Sequence, residues 1–196
     1  PQVSDSGVCA APSGNTTSVA LEAPDLSQLK DNPRVGSASA PITVIEFGCF
    51  ACPNTAKQQP AVKRLIEHFG TDIQFVYLDF PLPTHEFSTQ AAIAAHCVFH
   101  EDPRLYWQYH FLVFAEQESL SVQNLKAWAL GLGVDESSFD ACYAGEEAAS
   151  YVASQSDLAR QSGIYGTPTF FIDGEPLVGV QPYKLLRAKV NDALDQ

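Results

Sequence analysis

Residues 42–53 read ITVIEFGCFACP, and the fold turns on this stretch. From Ile42 to Phe47 the apolar residues break any simple alternation, because Val44 and Ile45 are neighbours, so the run reads as a strand buried on both faces. Glu46 is the anomaly inside it. Cys49 and Cys52 follow with Cys-x-x-Cys spacing, and Pro53 comes directly after. Beyond them Ala61, Val62, Leu65, Ile66 and Phe69 recur at helical spacing, and Gly70 stops the pattern. Proline decides where that helix starts. A helix beginning at Cys49 would put Pro53 in its interior, at a cost of about 3 kcal/mol. One beginning at Cys52 puts Pro53 at the favoured first position. The spacing therefore places Cys52 at a helix N-terminus, where unpaired N–H groups and the helix dipole lower a thiol's pKa, and leaves Cys49 in the preceding loop.

Working outward, Ile73 to Leu78 (IQFVYL) supplies a second strand and completes a βαβ unit with parallel strands. About 75 residues without a convincing strand come next. Ala91 to Phe99, a segment from Asp102 through Leu112, Leu120 to Leu132, a turn around Phe139 and Glu146 to Gln161 all read as helices. Thr169 to Ile172, the turn Asp173-Gly174 and Leu177-Val178 then give a hairpin, and a last helix runs from Pro182 to Leu194. The class is α/β, a small mixed sheet interrupted by a helical insertion. The expected division is a flexible N-terminal tether over 1–20, a core formed by 21–82 and 157–196, and an insertion over 83–156.

The chain has 196 residues, 45% of them apolar, which excludes a disordered polymer and fits one domain with an insertion. No run approaches the roughly 20 apolar residues of a membrane-spanning helix. A net charge of -12 argues against nucleic acid or an anionic membrane surface as partner. Residues 1–20 are rich in Ser, Gly, Thr and Pro with no apolar period, the composition of a tether. The sequence starts at Pro1 and holds no Met, which fits a processed export signal or a trimmed anchor and equally an arbitrary starting point.

Cys-x-x-Cys alone could be half a zinc site, but Cys97 and Cys142 are isolated and the five His are scattered along the chain at mixed spacings, so neither metal nor cofactor is expected. A cysteine at a helix start suits disulfide exchange instead, in which a thiolate attacks. Gly166 to Gly174 (GTPTFFIDG) adds a proline directly before a buried strand.

Together with VIEF at 44–47 and DFPLP at 79–83, these motifs resemble the DsbA-like thiol-disulfide oxidoreductases of the thioredoxin superfamily over roughly residues 41–194. The resemblance implies a thioredoxin fold with a DsbA-type helical insertion. It also implies a cis Thr167-Pro168 peptide beside the active sulfurs, with Thr167 and Pro168 holding an extended substrate, and a structural disulfide between Cys97 and Cys142. The departure is one of register. Glu46, Pro53 and Pro60 all mark Cys52 as the family's first cysteine, and its usual second partner then falls on Thr55.

Two mechanisms stay open at this point. In the dithiol version Cys49 resolves a mixed disulfide at Cys52 from the upstream side, and a buried Glu46 with a raised pKa shuttles the proton. In the monothiol version Cys52 works alone, with Thr55 donating a hydrogen bond to its thiolate. Cys9 is either unpaired or bonded to Cys49. The expected function is an extracytoplasmic oxidoreductase, monomeric and open to tethering through its N-terminal segment. It would exchange disulfides with exported proteins and be reoxidised by a membrane redox partner. The alternative is a redox-inert thioredoxin-fold domain that binds a peptide or protein and carries structural disulfides only.

Overall fold

In the computed structural model, residues 7–10, 20–25 and 32–196 are described. The stretch Ile42–Gly48 forms β3, α1 is Pro53–Phe69 and β4 is Ile73–Asp79. β3 and β4 pair in parallel, with Glu46 opposite Tyr77 and Gly48 opposite Asp79. Two short strands precede them, β1 at Cys9–Ala10 and β2 at Arg34–Gly36. Five helices intervene after β4: α2 (Ser88–Glu101), α3 (Tyr106–Ala115), α4 (Val122–Gly131), α5 (Glu136–Tyr143) and α6 (Glu146–Gln161). The chain then returns through β5 (Gly166–Thr167), β6 (Thr169–Ile172), β7 (Glu175–Val178) and α7 (Tyr183–Leu194).

Among the described residues the main sheet has the order β2-β4-β3-β6-β7, with only β3 and β4 parallel. Asp173 and Gly174 both take positive φ, the backbone a two-residue hairpin turn requires. The central strands are covered on both faces, as their continuous apolar runs predict. Val44, Phe75, Tyr77 and Phe170 face the larger core beneath α1, α3 and α7, while Ile45, Phe47, Val76, Leu78 and Phe171 face a smaller core with Ala159 and Ile164. Thioredoxin architecture with a helical insertion is thus what the chain adopts.

Three boundaries differ from expectation. The helical block extends through α6 to Gln161, past the division placed at 156. β2 escapes the sequence reading because three residues cannot show a period. In the segment read as a tether, Gly7–Ala10 is ordered structure instead, with Val8 and Cys9 only 2% and 4% exposed. The rest of that tether, residues 1–6 and 11–19, lies outside the described residues.

Candidate functional site

Cys52 is the N-cap of α1, and Pro53 occupies the first helical position. The Thr55 backbone N–H points to Cys52 Sγ at 3.5 Å. The loop before it is pinned by Gln117, whose side-chain amide donates to the Phe50 carbonyl at 2.6 Å and the Cys52 carbonyl at 3.1 Å. Gly48 enters that loop against the Tyr77 ring, where a Cβ would lie 2.5 Å from the phenol oxygen. Opposite stands the Thr167-Pro168 peptide, which is cis. The Thr167 carbonyl oxygen lies 3.5 Å from Cys52 Sγ.

The bonding of the sulfurs corrects the expected site. Cys52 is joined to Cys9, not to Cys49. Among the described residues Cys49 is the free thiol, and it is buried. Neither pairing weighed for Cys49, with Cys52 or with Cys9, is present. The physical reason is the path of the N-terminal segment. β1 runs antiparallel to β5, pairing Cys9 with Thr167 and Ala10 with Gly166, and this sets the Cys9 side chain against the helix N-terminus. Val180 N–H donates to the Gly7 carbonyl at 2.9 Å and anchors the entry to the strand. A tether read as having no periodic pattern gives no hint of such pairing. Cys97 and Cys142 are bonded to each other and join α2 to α5.

Burial shapes the titratable groups. Desolvation pushes the Cys49 thiol up to about 11, with backbone N–H groups of Leu82, Ala51 and Cys52 offsetting only part of it. Glu46 is fully buried, and desolvation raises it to about 8 against the lowering effect of a hydrogen bond from Gln59. That bond, from Gln59 Nε2 to Glu46 Oε1, is 3.1 Å, and Gln59 Oε1 lies 3.0 Å from His110 Nε2. His110 is held neutral by burial, its pKa lowered to about 3. Asp79, at the end of β4, is also raised to about 8 by burial. Thr55 is buried, and its hydroxyl faces the Cys49 backbone N–H at 3.5 Å, not the Cys52 sulfur. The Thr55 group that points to the Cys52 sulfur, here in its disulfide form, is the backbone N–H.

One residue of the site was missed. His85 presents a ring nitrogen within 4.8 Å of the sulfurs of both Cys9 and Cys52. Its turn is fixed by its own N–H donating to the Leu82 carbonyl at 3.0 Å and by the Ser88 hydroxyl donating to the same carbonyl at 2.9 Å. Burial lowers its pKa below the ordinary 6.5. Its place just after the DFPLP motif was the available signal. The three side chains have the donor types of a soft-metal site, but the disulfide holds both sulfurs out of thiolate form. The arrangement suits exchange at a disulfide: a sulfur at a helix N-terminus, a neighbouring base and an adjacent backbone edge.

Comparison with known proteins supports this assignment of fold. Residues 28–192 match the family model Thioredoxin_4, described as Thioredoxin. The chain is similar to the Na(+)/H(+) antiporter NhaA 1 of Salinispora arenicola, at 35% identity over 159 residues, which is 81% of this chain and 24% of that protein. It spans about a quarter of the length of the curated relatives it matches. Its fold is similar to that of oxidised BdbD from Bacillus subtilis, with a TM-score of 0.80 at 24% identity over 90% of this chain and 98% of that one. The thiol-disulfide exchange protein alpha-DsbA2 from Wolbachia pipientis gives 0.76 at 23% identity, covering 85% and 92%.

Proposed function

The chain belongs to the thioredoxin family, and from that premise we propose that it is an extracytoplasmic thiol-disulfide oxidoreductase whose exchangeable bond is Cys9–Cys52. The observation that carries the reading is the disulfide itself, held between a helix N-cap and the edge of the cis-Pro168 loop with an imidazole beside it. A partner thiol gives its proton to neutral His85 and attacks Cys52 Sγ. The Cys9–Cys52 bond breaks as the partner–Cys52 bond forms, and Cys9 leaves as a thiolate that takes the proton back from His85. A second partner thiol, giving its proton to His85, then attacks the partner sulfur of the mixed disulfide, and Cys52 leaves as a thiolate stabilised by the helix N-terminus and the Thr55 N–H before it takes that proton. The partner gains a disulfide and the chain becomes a dithiol. The same reading gives it exported proteins as partners, a membrane redox protein as its oxidant, and a monomeric working form. We carry over the thiol chemistry of the family and not the cation transport in the names of its relatives, because the shared segment is a minor part of those proteins. Among the described residues no helix is long and apolar enough to cross a membrane.

The test is differential alkylation with peptide mass spectrometry across glutathione buffers, together with oxidation of a peptide dithiol by the full chain. Cys9 and Cys52 should titrate as one couple while Cys97–Cys142 stays bonded, and Cys52→Ala should abolish dithiol oxidation. A Cys9–Cys52 bond that reduces only when the chain unfolds would leave the redox-inert binding domain as the better description.

A further inference from the structure

Residues 7–10 do more at the site than deliver a sulfur. They lie as a short extended strand on Gly166–Thr167, outside the main sheet. Main-chain pairing of this kind accepts any extended peptide, and selectivity comes from the side-chain pockets along it. Here the pockets are unequal. Val8 and Cys9 are buried, while Ala10 faces solvent. Gly166 keeps the backbones close, since a Cβ there would overlap the Cys9 carbonyl and press on Val8 Cγ2 at 2.9 Å.

The strand also covers the bond it carries. Cys52 is 0% and Cys9 4% exposed, so an external thiol reaches neither sulfur while β1 is seated. The strand is short: two paired residues, the Val180 to Gly7 hydrogen bond, the burial of Val8 and the disulfide are among the contacts that seat it. Its advantage is attachment to the same chain, which gives it a high effective concentration. A partner that pairs over more than two residues can overcome that advantage. The exposed Tyr165, 48% accessible, stands beside the path such a strand would take past the Ala10 position.

We propose that Gly7–Ala10 is a built-in stand-in for the partner, and that exchange proceeds by strand replacement. The preferred partner is an extended segment carrying a cysteine with an apolar residue immediately before it and no restriction immediately after. This deepens the oxidoreductase reading and rests on it. The partner strand first displaces the Gly7–Ala10 backbone from Gly166–Thr167, which uncovers the sulfurs; the partner sulfur then bonds to Cys52 as Cys9 leaves as a thiolate and takes the proton that His85 accepted from the partner thiol. No electrons are gained or lost in that step, only one S–S bond for another.

The full-length Cys9→Ser/Cys49→Ala chain is equilibrated with a reduced and oxidised glutathione buffer, the oxidised form supplying the disulfide, and one of three octapeptides, and the mixed disulfides at Cys52 are quantified by intact mass. The peptides are DSGVCAAP, which copies residues 5–12, and the variants DSGVCKAP and DSGKCAAP. The first two are expected to form at least about tenfold more adduct than glutathione, and the third no more than glutathione. In the otherwise native chain, Val8→Lys should speed reduction of Cys9–Cys52 by glutathione about tenfold, with the amide-exchange protection of β3 and β4 unchanged. Three peptides that behave alike, or an unchanged reduction rate in Val8→Lys, overturn the stand-in role. If the native chain still oxidises a peptide dithiol in that case, the oxidoreductase reading survives on its own. If the native chain oxidises nothing and Cys52 takes no adduct, both fall.

Discussion

At Cys52 three local causes converge on one sulfur: Pro53 starts the helix, the Thr55 N–H faces Sγ, and His85 stands within 4.8 Å. Cys49, three residues earlier, has the opposite environment. Burial pushes its thiol up to about 11, so it is protonated at neutral pH and a poor nucleophile in this state. Cys49→Ala should keep the Cys9–Cys52 bond and leave dithiol oxidation within about twofold of the native rate. A loss beyond about tenfold would mean that Cys49 resolves mixed disulfides after all. His85 makes a different prediction, because its depressed pKa leaves a neutral imidazole at pH 7 to move the proton. Replacing it by Ala should slow dithiol oxidation roughly ten- to a hundredfold at pH 7. The variant should also lose any rate inflection on the acid side of 6.5, and stopped-flow profiles from pH 5 to 8 read both effects. An unaltered profile would remove His85 from the chemistry.

The elements hold the site through close packing at the end of β3. Gly48 lies where any side chain would meet the Tyr77 ring, and Tyr77 in turn packs tilted against Phe50 and edge-on against His110 and Phe114. Gly48→Ala should therefore cost about 1–3 kcal/mol of stability, visible as a lower urea midpoint at unchanged slope. A change under about 0.5 kcal/mol would mean that the ring simply swings away. Legibility at this scale follows the range of the interaction. β3, α1 and β4 were readable because their cores repeat within a few residues, and Pro53 fixed the helix start to the residue. The β6–β7 hairpin was readable from Asp173-Gly174. Cys9 was not, because its partner is set by two backbone pairings to a loop more than 150 residues away. His85 had one weak signal, its place just after DFPLP, and only the turn bonds at Leu82 show how it is held near the sulfurs. Tyr106 and Tyr109 of α3 are core residues, as aromatic residues at helical spacing commonly are.

For the molecule as a whole, the cost of this site is two carboxyl groups buried in the sheet. Glu46 and Asp79 ordinarily titrate near 4.5 and 3.8, and burial raises each to about 8 in the fold. At pH 6.5 both are protonated in the native chain and ionised in the unfolded one, so the native state binds more protons. Stability must then fall as pH rises, with the contribution complete below the unfolded values and lost as pH climbs through about 8. The imidazoles, His110 buried and His85 and His96 half-buried, act in the other direction but at lower pH. His85, His96 and His110 are depressed below 6.5, so their effect is a loss of stability on acidification. Between pH 6.5 and 8 the carboxyls therefore dominate. Each should contribute a decline of roughly 2 kcal/mol across that interval, read from urea midpoints at constant ionic strength. Glu46→Gln and Asp79→Asn should each remove about half of the slope, because an amide keeps the shape of the protonated acid without its proton equilibrium. A native chain whose stability is flat or rising from pH 6.5 to 8 would show that water or a rearranged partner ionises these groups inside the fold.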